Sequence, residues 1–429
     1  MKLAIVGGGV AGMSASFYAR KLKPDLHITV FEEKEEVGGR VKTWVVGDIS
    51  DELGGTFFHP VNKLLAEMIK SSGLKTKPFS LRPAVFDGSK FVYRGSSGKL
   101  RNGVQVVRTF GFGPALKMNS IVTNAKKSFL RLYQNKTPYL SIEEIIETGG
   151  MEDWPNALLT SFLADQGLPA DSRLVRHLIE PAVRYIYCQN LNSFNAFAGL
   201  VSLIAGDGST ISKVLPTNQA LVQKILQQSA NEVKTKCKAT SVGKVAAGFE
   251  LTYTNPHDEE RSERFDSVIL ATPLELSEIQ LLNIEVPPPL RRDRPFKTMH
   301  VSVFEGRIKP ERFGSPNHIP DLIMTTSDSN LPFLSIENLG KGKTGQSLFN
   351  VFSSSPLSQT QVEEFFEVMS ELRGWTWTHA YPIKTPVEQP FIPFKLQDNL
   401  CYTSGIESLS STMETSALAG KNAAELLLS

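Results

Sequence analysis

Cysteine is scarce: Cys188, Cys237 and Cys401 are the only three in 429 residues. An odd number spaced so widely excludes a disulfide-stapled secreted module and a thiolate metal site, and predicts a reduced, cytoplasmic setting with no metal. Long hydrophobic runs are lacking too, so no stretch of about 20 apolar residues offers a membrane span. Neither sign of charge is in excess. The 46 Lys plus Arg against 44 Asp plus Glu leave +2, which gives no electrostatic case for a nucleic-acid partner. Before the first strand-like run there is no room for a basic segment, an apolar segment and a cleavage site, so no signal peptide is expected. No Ser/His/Asp triad or zinc signature is legible. What is present, 41% apolar and 21% charged residues, fits an ordinary globular chain of two or three domains.

The first segment reads strand, turn, helix, strand: Lys2 to Val6, Gly7-Gly8-Gly9-Val10-Ala11-Gly12, a helix to about Lys21, then Leu26 to Phe31. Gly7, Gly9 and Gly12 have the spacing of a dinucleotide fingerprint. The first permits a tight turn, the second lets the backbone approach a pyrophosphate at a helix N-terminus, and the third allows close helix packing. Glu32 stands twenty residues beyond Gly12, where a carboxylate can accept both ribose hydroxyls and repels a 2′-phosphate. An incidental glycine turn is the competing reading.

Farther on, Phe79 to Gly103 reads as polar and irregular, Pro114 to Tyr133 and Ser141 to Ala205 as helical, and Leu221 to Leu226 as a further helix. Strand-like pieces follow at Val233 to Cys237, Ser241 to Val245, Phe249 to Thr254 and Phe265 to Leu270. A second group comprises Met299 to Phe304, Asp321 to Thr326, Leu334 to Ile336 and Ser347 to Phe352. A helix is expected over Gln361 to Leu372, a Pro-rich crossing over Pro382 to Pro393, and a last helix from about Thr412. The order implies a mixed α/β fold with discontinuous domains.

Gly38-Gly39-Arg40 adds backbone amides and a guanidinium for a pyrophosphate, and Gly54-Gly55 a second close approach before His59. The glutamate, glycine pair and arginine at this spacing resemble the FAD-binding amine oxidase superfamily. Gly54 to Asn62, Glu180-Pro181-Ala182-Val183-Arg184, Asn195 to Gly199, Ala271-Thr272-Pro273-Leu274, Ala380-Tyr381-Pro382, Gly405-Ile406-Glu407, Met413-Glu414 and Ser416-Ala417 are similar to the prenylcysteine oxidase, or prenylcysteine lyase, family. The chain departs from that family at Pro216-Thr217-Asn218, where a glycine pair is usual, and has only Asn135-Lys136-Thr137 as a glycosylation-type triplet.

The resemblance implies a Rossmann-type FAD-binding domain (1–75, 213–285 and 390–429) and a sheet-plus-helices substrate domain (76–212 and 286–389). It implies oxygen-dependent cleavage of farnesyl- or geranylgeranyl-cysteine to cysteine, a prenyl aldehyde and hydrogen peroxide. An oxidase or desaturase of another hydrophobic amine, thioether or isoprenoid, and a non-catalytic flavin or prenyl-lipid binder, are the alternatives. Gly7, Gly9, Gly12, Glu32, Gly39, Arg40, Gly54, Gly55, Val242, Thr272, Gly405, Glu407, Met413 and Glu414 are the implied cofactor residues. The last two double as the start of an ordinary capped helix. His59 either positions water and moves a proton or simply lines the flavin site, and Lys297 either holds a water or is a surface lysine. Tyr185, Tyr187, Phe194, Phe197, Trp377 and Tyr381 are candidates for prenyl contact or for plain core. Segment 112–133 interleaves apolar and cationic residues, either as peripheral membrane contact or as a solvated face.

Overall fold

The computed structural model describes residues 1–46, 49–79, 82–96, 98–291, 294–314, 319–388 and 390–429. The opening βαβ unit forms as its pattern requires. Strand Lys2–Val6 pairs in parallel with His27–Phe31, and the helix Val10–Leu22 crosses between them. Both strands are buried almost throughout and rich in branched residues, as strands covered on two faces must be. The sheet they start has six strands in the order Lys395–Gln397, Leu400–Tyr402, Ser267–Leu270, Lys2–Val6, His27–Phe31, Glu232–Lys234. A chain that leaves and returns three times therefore builds one sheet.

Beside it lies a four-stranded sheet, Glu260–Phe265, Phe249–Thr254, Lys238–Lys244 and Gln280–Leu282. The largest sheet is elsewhere. Phe296–Ile308 is its long central strand, flanked by Ser347–Ser353 on one side and by Phe366–Val368 and Arg373–Pro382 on the other. Ser335–Lys341, Leu322–Thr325, Pro83–Phe86 and Phe91–Arg94 continue it outward. Helices between Phe112 and Ala205 pack over this sheet and share a core with the nucleotide-binding end through Phe129, Tyr187 and Phe197.

Several expectations are corrected. Within Phe79 to Gly103, residues 80, 81 and 97 lie outside the described residues, but the rest holds two strands and the start of the helix Lys99–Phe110. Gly98 and Gly111 cap that helix at positive φ, so Gly98, one of the glycines that suggested irregularity, is its boundary. The helix expected over Gln361 to Leu372 stops at Phe365. Phe366–Val368 is drawn into pairing with Gly306–Ile308, a tertiary demand that outweighs local helix preference. Arg373–Pro382 is a ten-residue strand that went unread. The Pro-rich crossing is irregular where described, and residue 389 lies outside.

Candidate active site

A cavity of about 380 Å³ runs from the glycine turn to the helical layer. Gly7, Gly9, Val10 and Ala11 line the glycine-turn end, with Gly38 and Thr272 against them; Arg40, Gly54 and Gly55 also line it, and Tyr185, Tyr187, Trp377 and Tyr381 line the far end. Gly7 has φ +113°, and a Cβ there would sit 2.7 Å from the Ala271 carbonyl oxygen. A Cβ on Gly12 would come within 2.0 Å of the Gly7 carbonyl oxygen, which fixes that helix against its own turn. Gly9 is different. Its backbone is ordinary extended (φ −85°, ψ −168°), and an added Cβ would meet nothing of the protein closer than 3.8 Å. The space above Gly9 thus belongs to the cavity.

The helix that follows has no side-chain cap and no acid in its first turn, so its free amides and positive dipole end face the cavity. Glu32 is buried and fastened to the same turn, accepting from the Gly8 amide at 2.9 Å and from that of Lys34 at 3.0 Å. Burial pushes its carboxyl upward, against the pull of those two amides. These features fit a dinucleotide: a bare anion-binding helix end, a glycine with no packing reason to be one, and a carboxylate at the edge of the turn.

Arg40 and Glu407 meet in a two-pronged ion pair, Nη1 to Oε2 at 2.7 Å and Nη2 to Oε1 at 2.5 Å. Burial works against the Glu407 carboxylate, but Arg40 outweighs it and, with Arg294 and Lys384, holds the group below the usual carboxylate range. Arg40 keeps 30% of its side chain open and still faces the cavity. Behind it Arg294 pairs with Glu275 and donates to the Ser404 carbonyl at 2.8 Å. Lys384 is wholly buried and donates to the Glu407 carbonyl and, at 2.7 Å, to Ser411 Oγ. Burial drives the Lys384 amine well below its ordinary value, with Arg294 and Arg40 adding to the effect against Glu407. Arg40, Arg294 and Lys384 hold the turn that leads into the last helix, Met413–Leu428.

That helix starts at Thr412, whose hydroxyl accepts from the Thr415 amide at 3.1 Å, and Met413 through Ser416 line the cavity. The Glu414 carboxylate points elsewhere. It accepts from the Leu64 and Leu65 amides and from Tyr133 Oη, capping the helix Lys63–Ser72. Glu414 is therefore a brace between two helices, a role its sequence position did not suggest.

The far end is aromatic. Tyr187 and Tyr381 meet edge to face with centroids 5.3 Å apart. Tyr185 Oη donates to buried Glu337, and Trp377 lies so close to Gly54 that a Cβ there would come within 2.9 Å of the ring. Phe129, Tyr133, Val201 and Ile204 of the helical layer complete an apolar wall.

The chain has known relatives. The family profile described as prenylcysteine lyase matches residues 94–429, and that of an NAD(P)-binding Rossmann-like domain matches residues 5–71. The chain belongs to the prenylcysteine lyase family. It is 30% identical to prenylcysteine oxidase 1 of Pongo abelii over 456 residues, covering 99% of this chain and 88% of that protein. Farnesylcysteine lyase of Arabidopsis thaliana is 28% identical over 453 residues, covering 99% and 87%. Among solved structures, a double mutant of putrescine oxidase superposes with a TM-score of 0.68 at 14% identity, covering 99% of this chain and 98% of that one. The fold is that of the flavin amine oxidases, a Rossmann-like nucleotide-binding part joined to a mixed sheet-and-helix part.

Of the residues singled out from sequence, Gly7, Gly9, Arg40, Gly54, Gly55, His59, Tyr185, Tyr187, Thr272, Trp377, Tyr381, Glu407, Met413 and Glu414 line this cavity. Gly12, Glu32, Gly39 and Gly405 do not line it but shape its turns; a Cβ on Gly405 would sit 2.9 Å from the Ile392 carbonyl oxygen. Val242 is fully buried in the four-stranded sheet, outside the lining. Phe194 and Phe197 are core, Phe197 packing on Phe129 and Trp154 and Phe194 on Tyr187. Lys297 pairs with Tyr381 along the strand and lies outside the lining.

His59 lines the cavity with both ring nitrogens engaged. Nδ1 accepts from the Val61 amide at 3.0 Å, which leaves Nε2–H to donate to Asp207 at 3.0 Å. Burial would raise the Asp207 carboxyl, but hydrogen bonds from His59, Lys126 and Ser209 hold it well below the usual range. Through these two bonds the His59 ring ties the glycine-pair loop to the helical layer. Lys384 and Ser411 were missed from sequence because no fixed spacing links them to the fingerprint.

Proposed function

We propose that the protein is an FAD-dependent oxidase that cleaves the thioether of a prenylated cysteine. The observation that carries this reading is one continuous cavity, dinucleotide-fitting at one end and walled by aromatic and aliphatic side chains at the other, in a chain of this family. FAD, when bound, supplies two-electron oxidation with molecular oxygen as final acceptor. The balanced reaction takes farnesyl- or geranylgeranyl-cysteine, oxygen and water to cysteine, a prenyl aldehyde and hydrogen peroxide.

The protein's own groups supply placement. Free amides at Val10 and Ala11, with Arg40 beside them, would hold the diphosphate. The start of the last helix would turn its amides toward the ring system, where a positive dipole end favours the reduced, more negative state. Tyr185, Tyr187, Tyr381 and Trp377 would bracket the carbon next to sulfur, and the wall of Phe129, Val201 and Ile204 would take the isoprenoid. Each methylene buried there is worth about 0.8 kcal/mol, so the chain of the substrate provides much of its own affinity. Such a wall also excludes water from all but the reacting end.

The test is one cuvette. The FAD-loaded protein is mixed anaerobically with farnesylcysteine while its visible spectrum is followed, then air is admitted. Bleaching, recovery in air and release of peroxide and aldehyde are expected. An oxidised spectrum that persists at saturating farnesylcysteine overturns the substrate. Bleaching by cyclohexylamine or putrescine instead would make the protein an amine oxidase, and tight prenyl-ligand binding with no bleaching by any donor would make it a carrier.

A further inference from the structure

Between Asp87 and Glu143 the sequence has ten Lys or Arg and no Asp or Glu, in a chain whose overall balance is only +2. The centre of this stretch folds as two helices, Lys99–Phe110 and Phe112–Arg131, joined by the single residue Gly111. The first helix exposes Leu100 (82%), Val104 (62%) and Val107 (37%), spaced i, i+4, i+7 on one face, while Val106 and Phe110 pack inward. Arg101 and Arg108 flank that face, exposed and without an ion-pair partner among the described residues. The second helix opens with Phe112 (70%) and Leu116 (56%), again one turn apart. Exposed apolar residues in such a group mark an interaction surface, and the charged residues of the two helices that carry them are all basic.

The same helix connects the patch to the site. Its first half is exposed, its second half buries Ile121, Val122, Ala125 and Phe129, and Phe129 with Tyr133 lines the cavity. From Phe112 to Phe129 the rise is roughly 25 Å, about the depth of a protein layer. We propose that this helical pair is a membrane-docking surface that seats its apolar face in an anionic bilayer and sets the cavity wall against the leaflet. The occupant is a lipid surface because the two helices carry charge of one sign, positive, beside exposed apolar side chains, the pattern of an interfacial helix. No helix among the described residues is long and apolar enough to cross a membrane, so the contact is peripheral. Docking itself stands without the substrate reading; only its purpose, delivery of a lipophilic donor, rests on it.

The intact FAD-loaded protein is floated with vesicles of phosphatidylcholine alone and with a quarter of phosphatidylserine, with no turnover measured. Binding to the anionic vesicles, weakened by salt and absent from neutral ones, is expected. Arg101→Gln with Arg108→Gln lowers partition about 25-fold if each charge acts near the surface. Leu100→Ser with Phe112→Ser lowers it by about tenfold or more. Both pairs are exposed, and matching melting curves identify folded variants; if a pair melts early, Phe112→Ser alone carries the test. No binding to anionic vesicles, equal binding to neutral ones, indifference to the substitutions, or a dimer held by this face in place of vesicle binding each overturns the proposal. Failure here leaves the farnesylcysteine titration untouched, and failure there leaves vesicle binding standing.

Discussion

Gly9 separates packing from function at the level of one residue. Its conformation is open to any residue and nothing of the protein fills the space above it. Gly9→Ala is therefore expected to leave the melting temperature of the cofactor-free protein within about a degree or two. It should nonetheless weaken FAD binding at least about tenfold, read by fluorescence titration; equal affinity would refute the cradle. Gly12→Ala drives a methyl against the Gly7 carbonyl and is expected to lose stability and binding together. Glu52 carries a pH signature. It is buried with Oε1 on the Asn218 amide and no hydrogen-bond partner for Oε2 among the described residues, and burial first, with Asp51 adding, pushes its pKa up to about 8. The folded state then binds a proton that the unfolded state has released, so this residue's contribution falls as pH rises from about 4.5 to 8. Glu52→Gln should flatten that part of the stability–pH curve and raise stability at pH 8 by on the order of a few kcal/mol, measured by urea unfolding. Lys384→Met removes donors from the Glu407 carbonyl and Ser411, and is expected to cost roughly 1–3 kcal/mol by the same measurement.

Helix against helix, the tightest junction is between Val10–Leu22 and Met413–Leu428. A Cβ on Gly420 would sit 2.1 Å from the Ala11 carbonyl oxygen, and Ser14 Oγ donates to the Ala417 carbonyl at 2.6 Å. Gly420→Ala must push the two helices apart and is expected to cost about 1–3 kcal/mol. The loss should appear in FAD affinity too, since both helices start at the cavity wall. The reading from sequence was strongest for such elements. Glycine spacing, an acid after the second strand and two glycine pairs located the nucleotide end, because those constraints are local and repeat in one register. It was weakest where pairing partners are distant. Phe366–Val368 turns from helix to strand only because Gly306–Ile308 has a free edge, and Arg373–Pro382 alternates aromatic and polar residues that gain meaning only beside Phe296–Ile308. The same limit hid Lys384 and the bracing role of Glu414, whose partners lie on other segments.

For the molecule as a whole, FAD is expected to act as a structural ligand. Its cleft is assembled from the glycine turn, the Gly38–Val41 and Leu53–Asn62 segments, the Ala271–Pro273 turn and the last helix, so binding ties five parts of the chain together. Saturating FAD at a thousand times its dissociation constant should stabilise the fold by about 4 kcal/mol, seen as a ligand-dependent melting temperature. A melting temperature indifferent to FAD would place the flavin outside this cleft.

The closeness of the first and last helices also sets an order of events during synthesis. The fingerprint at Gly7 to Gly12 is made about four hundred residues before the helix packed on it at Ala11 and Ser14. At about 5–20 residues per second, the opening turn waits some tens of seconds for its closing partner. Throughout that interval the nascent chain has the glycine turn but not the wall that Met413 to Ser416 add, so the cavity closes only after the last helix has been made.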